Sequence, residues 1–355
     1  MTSWFDELIN PNAEEVKLCI EMSGNHQGSL DKALRFIEAI PRDKRVAVKF
    51  QVYTPETITL NCNKLDFQIP KTNDWAEYKN YYELYQAAHT PWDWIEQLAN
   101  RCDKASIPWF ASPFDTSAIE FLETLGCQAY KIASPEITDV NLISTASNTG
   151  KPIILSTGLA EWGDIDTALA ALSPEFRTRI AILKCTSAYP AELTDVNLAA
   201  IKSLKTKYHC AIGYSDHTVT STAAIAAVAL GATIIEKHFK LDGDTSSVDQ
   251  HFSTNLSEAG KFIEQLNDAL RSIGDDQVLI SESAIPSLNG RRSLYFSKTL
   301  KKGDKICLDA IRSVRPSHGA HPKFLGELIG RTLNRDVELG DRVTCEDVRL
   351  SNDEK

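Results

Sequence analysis

Long apolar runs are missing from this chain. No uninterrupted stretch approaches the ~20 residues of a membrane-spanning helix, so a soluble protein is expected and a membrane is excluded as a partner. Met1 to Asn12 lacks a basic start followed by an apolar core and does not read as a signal peptide. Basic runs are missing as well. With 38 Lys and Arg against 48 Asp and Glu, the net charge of −10 argues against nucleic acid or an anionic lipid surface. Cys-x-x-Cys pairs are absent too: the eight cysteines (19, 62, 102, 127, 185, 210, 307 and 345) are scattered, several inside apolar runs. Reduced, buried thiols in a cytoplasmic protein fit this better than disulfides or a metal cluster. No glycine-rich fingerprint follows the first apolar run, which sets a doubly wound dinucleotide-binding sheet behind other α/β folds.

What is present is a rhythm. From residue 16 a short apolar run, a polar turn and a helical period recur, and the spacing predicts strands at 16–21, 45–51, 107–111, 129–133, 152–156, 180–186, 210–214 and 233–238. Helices are expected at 30–40, 92–105, 117–125, 165–172, 196–205 and 221–230, with a last one at 256–273. Eight alternations give an α/β chain folded as a (β/α)8 TIM barrel. At 355 residues the chain exceeds the ~250 of a typical barrel, so a second, small domain is expected. Periodicity fades at 275–290, which reads as a linker between a barrel at 1–274 and a module at 291–355. That module repeats itself. Gly303-Asp304-Lys305-Ile306, followed by Asp309 and Ile311-Arg312, matches Gly340-Asp341-Arg342-Val343, followed by Glu346 and Val348-Arg349. Two similar β-rich halves are implied. The barrel's rhythm breaks at 52–90, a long loop rich in tyrosine and tryptophan, read either as a lid packing its own aromatics or as a substrate contact.

The chemistry sits at the strand ends. His217 and His238 leave two adjacent parallel strands at the same end, ~4.8 Å apart by sheet geometry, and so are able to share one divalent metal. Their spacing is no local zinc motif. Around them the strand ends supply Glu21, Lys49 with Gln51, Ser112, Lys131 with Ser134 and Glu136, Ser156, Ser187 with Tyr189, and Ser215. Two ammonium groups and several hydroxyls suit a phosphate or carboxylate, and two glutamates suit proton transfer. A single Ser at such a place is more often a helix cap and a single Lys a solvated end; Glu136 is able to cap its own turn, and His26 and His89 read as structural. The full ring favours function, because apolar strands otherwise give these positions to hydrophobes.

Seven stretches then resemble the sialic acid synthase family. They are Glu21-Met22-Ser23-Gly24-Asn25-His26-Gln27-Gly28-Ser29, Val48-Lys49-Phe50-Gln51, Ser112-Pro113-Phe114-Asp115, Lys131-Ile132-Ala133-Ser134, Leu155-Ser156-Thr157-Gly158, Ser215-Asp216-His217-Thr218 and Glu236-Lys237-His238-Phe239. Arg291-Arg292-Ser293 and Arg315-Pro316 resemble the family's C-terminal antifreeze-like (SAF, β-clip) domain. Within the family, 88–94 and 319–324 are most similar to the pseudaminic acid synthases. The resemblance implies an enzyme that condenses phosphoenolpyruvate with an amino sugar and water, releasing phosphate. The implied sugar is a 2,4-diacetamido-2,4,6-trideoxy hexose of the altrose series, with legionaminic or N-acetylneuraminic acid synthesis as alternatives. It further implies that Lys49, Ser112, Lys131, Ser134, Ser156, Ser187 and Ser215 hold phosphoenolpyruvate, and that His217 and His238 bind Mn²⁺ (or Mg²⁺ or Co²⁺). Glu21 and Glu136 would flank the reacting carbons. Gln51, Tyr189, Asp249 and Arg315 would border the sugar, Arg315 from the partner subunit of a domain-exchanged homodimer. Ser187 stands where sialic acid synthases carry Asn. A rival reading, a metal-dependent hydrolase on the same barrel, leaves Lys49 and Lys131 unexplained. A non-enzymatic binding module leaves the whole ring unexplained.

Overall fold

The structure is a computed structural model that describes residues 3–71, 75–173, 176, 178–344 and 346–347. The chain divides into two compact units, Met1–Gly274 and Asp275–Lys355. In the first, eight strands lie in chain order: β1 (Lys17–Glu21), β2 (Val46–Val52), β3 (Trp109–Pro113), β4 (Tyr130–Ile132), β5 (Ile153–Ser156), β6 (Ile180–Cys185), β7 (Ala211–Asp216) and β8 (Ile234–Lys240). All neighbours are parallel, and β1 closes on β8 with Lys17 opposite Ile234 and Glu21 opposite His238. The sheet is a closed eight-stranded barrel, as the alternation predicts. Its strands are near-continuous apolar runs because both faces are covered, by side chains within and helices without.

The helices follow from amphipathic spacing. In Leu30–Ala39 the buried residues are Ala33, Phe36 and Ile37, one stripe at i, i+3 and i+4, and Ser29 Oγ caps the start by accepting from Lys32 N–H. Thr222–Ala229 is built of small residues and lies close against Ala259–Ile273. Gly213 in β7 is required by close approach: a Cβ there would sit 2.5 Å from both the Ile234 carbonyl oxygen and Leu183 Cδ2.

Three local readings change. The helix expected at 196–205 starts only at Ala200, because Asn197 takes a left-handed φ of 42° and breaks the turn before it. A helix at Val140–Asn148 went unread because its sequence, VNLISTASN, has no charged face; Asp139 caps it by accepting from Leu142 N–H. Strands β3, β7 and β8 each end two residues further on than expected, carrying the pattern of inward and outward residues into the polar rim. The loop at 52–90 holds two short helices, Pro55–Ile58 and Tyr81–Ala88.

In the second unit, strands Ser293–Phe296 and Ile311–Val314 pair antiparallel over a separate core that includes Leu294, Phe296, Ile306, Leu333 and Val343. The two repeats fold alike. Gly303 and Gly340 have φ of 96° and 92°, Asp304 accepts from Lys301 N–H, and Asp341 accepts from Glu338 N–H in the same three-residue loop. Ile306 and Val343 are the matching buried residues. Val348, Arg349 and Cys345 lie outside the described residues. Within 275–290, Glu282–Gly290 forms 3₁₀ turns with no buried residue. Among the described residues no helix is long and apolar enough to cross a membrane, and the cysteines carry free thiols.

Candidate active site

Alternation along a strand sends residues i and i+2 to the same side. Lys49 and Gln51 on β2, Ser215 with His217 at the end of β7, and Glu236 with His238 on β8 accordingly face one cavity of 370 Å³. The residues between them face away: Lys237 Nζ lies 2.8 Å from Asp216 Oδ2, a buried ion pair outside the cavity. Ser112, Lys131, Ser134, Glu136, Ser156, Tyr189 and Asp249 complete the polar lining. Of the residues singled out from sequence in the first unit, Glu21 and Ser187 do not line it. Glu21 lies just beneath, with Oε2 2.9 Å from Lys49 Nζ. Ser187 Oγ lies so near Gly158 that a Cβ on the glycine would stand 2.3 Å from it and 2.8 Å from Ser134 Oγ. Arg315 belongs to the second unit, where it is exposed.

The floor is a charged knot that sequence reading missed. Glu236 Oε1 accepts from Lys49 Nζ at 2.8 Å, Lys131 Nζ at 3.0 Å and Ser215 Oγ at 3.2 Å. Burial alone would raise its carboxyl, but Lys131 and Lys49 hold it far below the usual range. Burial opposes the charge on both lysines; Glu21 and Glu236 overcome this at Lys49, whereas Lys131 remains below its ordinary value. The available signal was the position of Glu236, two residues before His238 on the same strand face.

The two glutamates singled out from sequence differ. Glu21 engages both oxygens, one on Lys49 and one accepting from Ser23 N–H at 2.8 Å. Glu136, in a 3₁₀ turn after β4, keeps a buried Oε2 with no hydrogen-bond partner among the described residues, and burial pushes its carboxyl up to about 7. Ser112, Ser156 and Ser187 likewise have buried hydroxyl oxygens without partners.

The rings of His217 and His238 stand edge to face with centroids 5.4 Å apart. His217 Nδ1 lies 2.9 Å from the Thr186 carbonyl, and His238 Nδ1 is 3.6 Å from Asp249 Oδ2. Tyr189 and Phe252 bracket the pair. His26 is structural, as expected: it is buried between Thr90 Oγ1 and Gly28 N–H, and burial draws its imidazole down to about 4. Asn25, also at the rim, clamps the loop after β8 by donating to the Phe239 carbonyl and accepting from Ser247 Oγ.

Opposite the polar floor stands an apolar wall. Tyr53 packs edge-on against Tyr85 at 5.8 Å and Phe114 at 5.0 Å, Tyr81 stacks on Tyr85, and Ile58, Leu84 and Ala88 fill between. The aromatics of the loop at 52–90 pack on one another, as the lid reading expects, and Tyr53, Trp75, Tyr81 and Tyr85 also line the cavity.

Comparison with known proteins agrees with this arrangement. Residues 36–278 match the NeuB family and residues 291–349 the SAF domain. The chain is 40% identical over 336 residues to a pseudaminic acid synthase of Campylobacter jejuni, covering 95% of this chain and 97% of that protein. It is 33% identical to an N,N'-diacetyllegionaminic acid synthase of the same species, over 89% and 96%. An N-acetylneuraminic acid synthetase from Leptospira borgpetersenii, solved with citrate, superposes with a TM-score of 0.67 at 31% identity, covering 77% of this chain and 90% of that one. The chain belongs to the NeuB family, its barrel followed by a SAF domain.

Proposed function

We propose that the protein is a pseudaminic acid synthase, joining phosphoenolpyruvate to a 2,4-diacetamido-2,4,6-trideoxy hexose with addition of water and release of phosphate. One observation carries the reading: two buried ammonium groups and the buried, unpartnered hydroxyls of Ser112 and Ser156 line one cavity together with two imidazoles at one end of the barrel. Native proteins rarely leave buried hydroxyls unpaired, and a bound anion would satisfy these. Lys49, Lys131, Ser112, Ser134, Ser156, Ser187 and Ser215 are assigned to phosphoenolpyruvate. Gln51, Tyr189, Asp249 and Arg315 are assigned to the sugar.

The apolar wall favours the deoxy sugar. A methyl at the sugar's C6 and the methyls of two acetamido groups bury well against Ile58, Leu84 and Tyr85. A hydroxymethyl there would lose its hydrogen bonds to water. The test is a panel of the altrose- and mannose-series diacetamido sugars beside N-acetylmannosamine, read by product mass. Preferred turnover of N-acetylmannosamine would discard the assignment.

His217 and His238 suit a divalent metal. The Thr186 carbonyl fixes the proton of His217 on Nδ1 and leaves its Nε2 lone pair free for a ligand bond. Among the described residues no group of three or more His, Cys, Asp or Glu is placed to hold a metal ion, so beside the two imidazoles the remaining coordination positions would fall to water and substrate. Such an ion, Mn²⁺ by the resemblance, supplies Lewis-acid polarisation of the sugar aldehyde when bound. His238→Ala is expected to weaken Mn²⁺ binding by about 10²-fold in calorimetry and to remove manganese-stimulated turnover. Unchanged Mn²⁺ affinity would dismiss the pair as the metal site. For Arg315→Ala the expected result is a sugar KM raised well above its present value with that of phosphoenolpyruvate unaltered; equal shifts in both would detach it from the sugar.

A further inference from the structure

From the knot on the floor of the cavity we infer that Glu236 is a positioning residue for the phosphoenolpyruvate site, a permanent internal counter-ion that holds Lys49 and Lys131 side by side on one carboxylate oxygen. The inference rests on reading that site as the phosphoenolpyruvate pocket. Three donors assigned to the substrate, Lys49 Nζ, Lys131 Nζ and Ser215 Oγ, all meet at Oε1 within 3.2 Å. Cross-strand register makes this possible: on β8, Glu236 stands opposite Cys19 of β1 on one side and Ser215 of β7 on the other. All four groups are buried, so neither ammonium is able to rely on water for its charge.

The carboxylate need not leave when the substrate arrives. Each ammonium has three N–H donors. Lys49 donates one to Glu236 and stands in ion-pair contact with Glu21, and Lys131 donates one to Glu236. The remaining donors stay free to meet an anion from the cavity side. Below the knot the thiol of Cys19 is fully buried, and burial raises it far above its ordinary value, so the layer beneath offers no competing charge. Without Glu236 the two ammonium groups would repel each other in a site poor in water. The lysines would then splay, and the anion would lose one of its two partners.

The test compares Glu236→Gln and Glu236→Asp with the parent enzyme, measuring phosphate release with each substrate varied and phosphoenolpyruvate binding by calorimetry without sugar. Glu236→Gln keeps the shape and removes the charge. Its KM and Kd for phosphoenolpyruvate are expected to rise about 10- to 100-fold, the range for a lost charge-assisted bond, while the sugar KM stays within about two-fold. Glu236→Asp keeps the charge but draws the carboxylate back by one methylene, so it should recover part of that loss and leave the phosphoenolpyruvate KM and Kd raised about three- to five-fold, a graded response that a merely structural role would not predict. If Glu236→Gln fails to fold, the Asp variant decides alone: a raised KM for phosphoenolpyruvate with normal sugar KM supports the role. Unchanged phosphoenolpyruvate binding in either folded variant overturns it, as does an equal rise in both KM values. A parent enzyme that binds no phosphoenolpyruvate would instead refute the reading of the site.

Discussion

Lys131→Met is expected to lower kcat/KM for phosphoenolpyruvate by about 10²- to 10³-fold, because removing one partner from a buried charge pair costs about 2–5 kcal/mol. Methionine nearly matches the volume of the lysine stem, so the loss is electrical and not a cavity. The same change leaves Glu236 with Lys49 as its one cationic partner in the knot, in a place water does not reach. Stability should therefore fall by about 3 kcal/mol, the lower end for breaking a buried ion pair, as measured by urea unfolding. The two effects separate in the double variant Lys131→Met with Glu236→Gln. Neutralising both partners should restore most of the stability, since neutral replacements of buried pairs are often tolerated. Binding of phosphoenolpyruvate should not return. Recovery of binding along with stability would show that Lys131 serves folding and not the substrate.

The contrast between Lys131 and Glu236 also explains what the amino-acid sequence discloses. A lysine inside an apolar strand is conspicuous, so Lys49 and Lys131 declare themselves, as do the two histidines at successive strand ends. Once eight alternations imply a barrel, those strand ends must share one rim. Glu236 lies in the motif Glu236-Lys237-His238, where three polar residues stand together, and only the two-residue period of a strand separates the inward pair from the outward lysine. The helix Val140–Asn148 stayed hidden for a different reason: its exposed face is built of Val140, Asn141 and Asn148, with no charged stripe to mark it. The different conditions of Glu21 and Glu136 were not legible at all. Glu21 meets the Lys49 ammonium while burial raises Glu136, and both are facts of tertiary packing that no local pattern encodes.

On the reading proposed above, that difference makes Glu136 the candidate for moving the proton. Water adding to the enol carbon must release a proton, and the departing phosphate gains one. A carboxyl poised near neutrality is best placed to move it between them. Glu21 stands against the Lys49 ammonium and accepts from the Ser23 amide, whereas Glu136 has no ammonium within ion-pair distance among the described residues and is pushed up to about 7 because burial disfavours its charged form. As a base Glu136 acts ionised, and its ionised fraction grows as pH rises through 7. So kcat/KM, which reports the free enzyme, should climb with an inflection near 7 and level off above it. Glu136→Gln should lower kcat by about 10²- to 10⁴-fold and flatten that acidic limb. Glu21→Gln should keep the limb even if it slows the reaction, because it disturbs Lys49 and not the titrating group. A parent profile that falls through pH 7 would make Glu136 a general acid instead. An acidic limb that survives in Glu136→Gln would take the titration away from it.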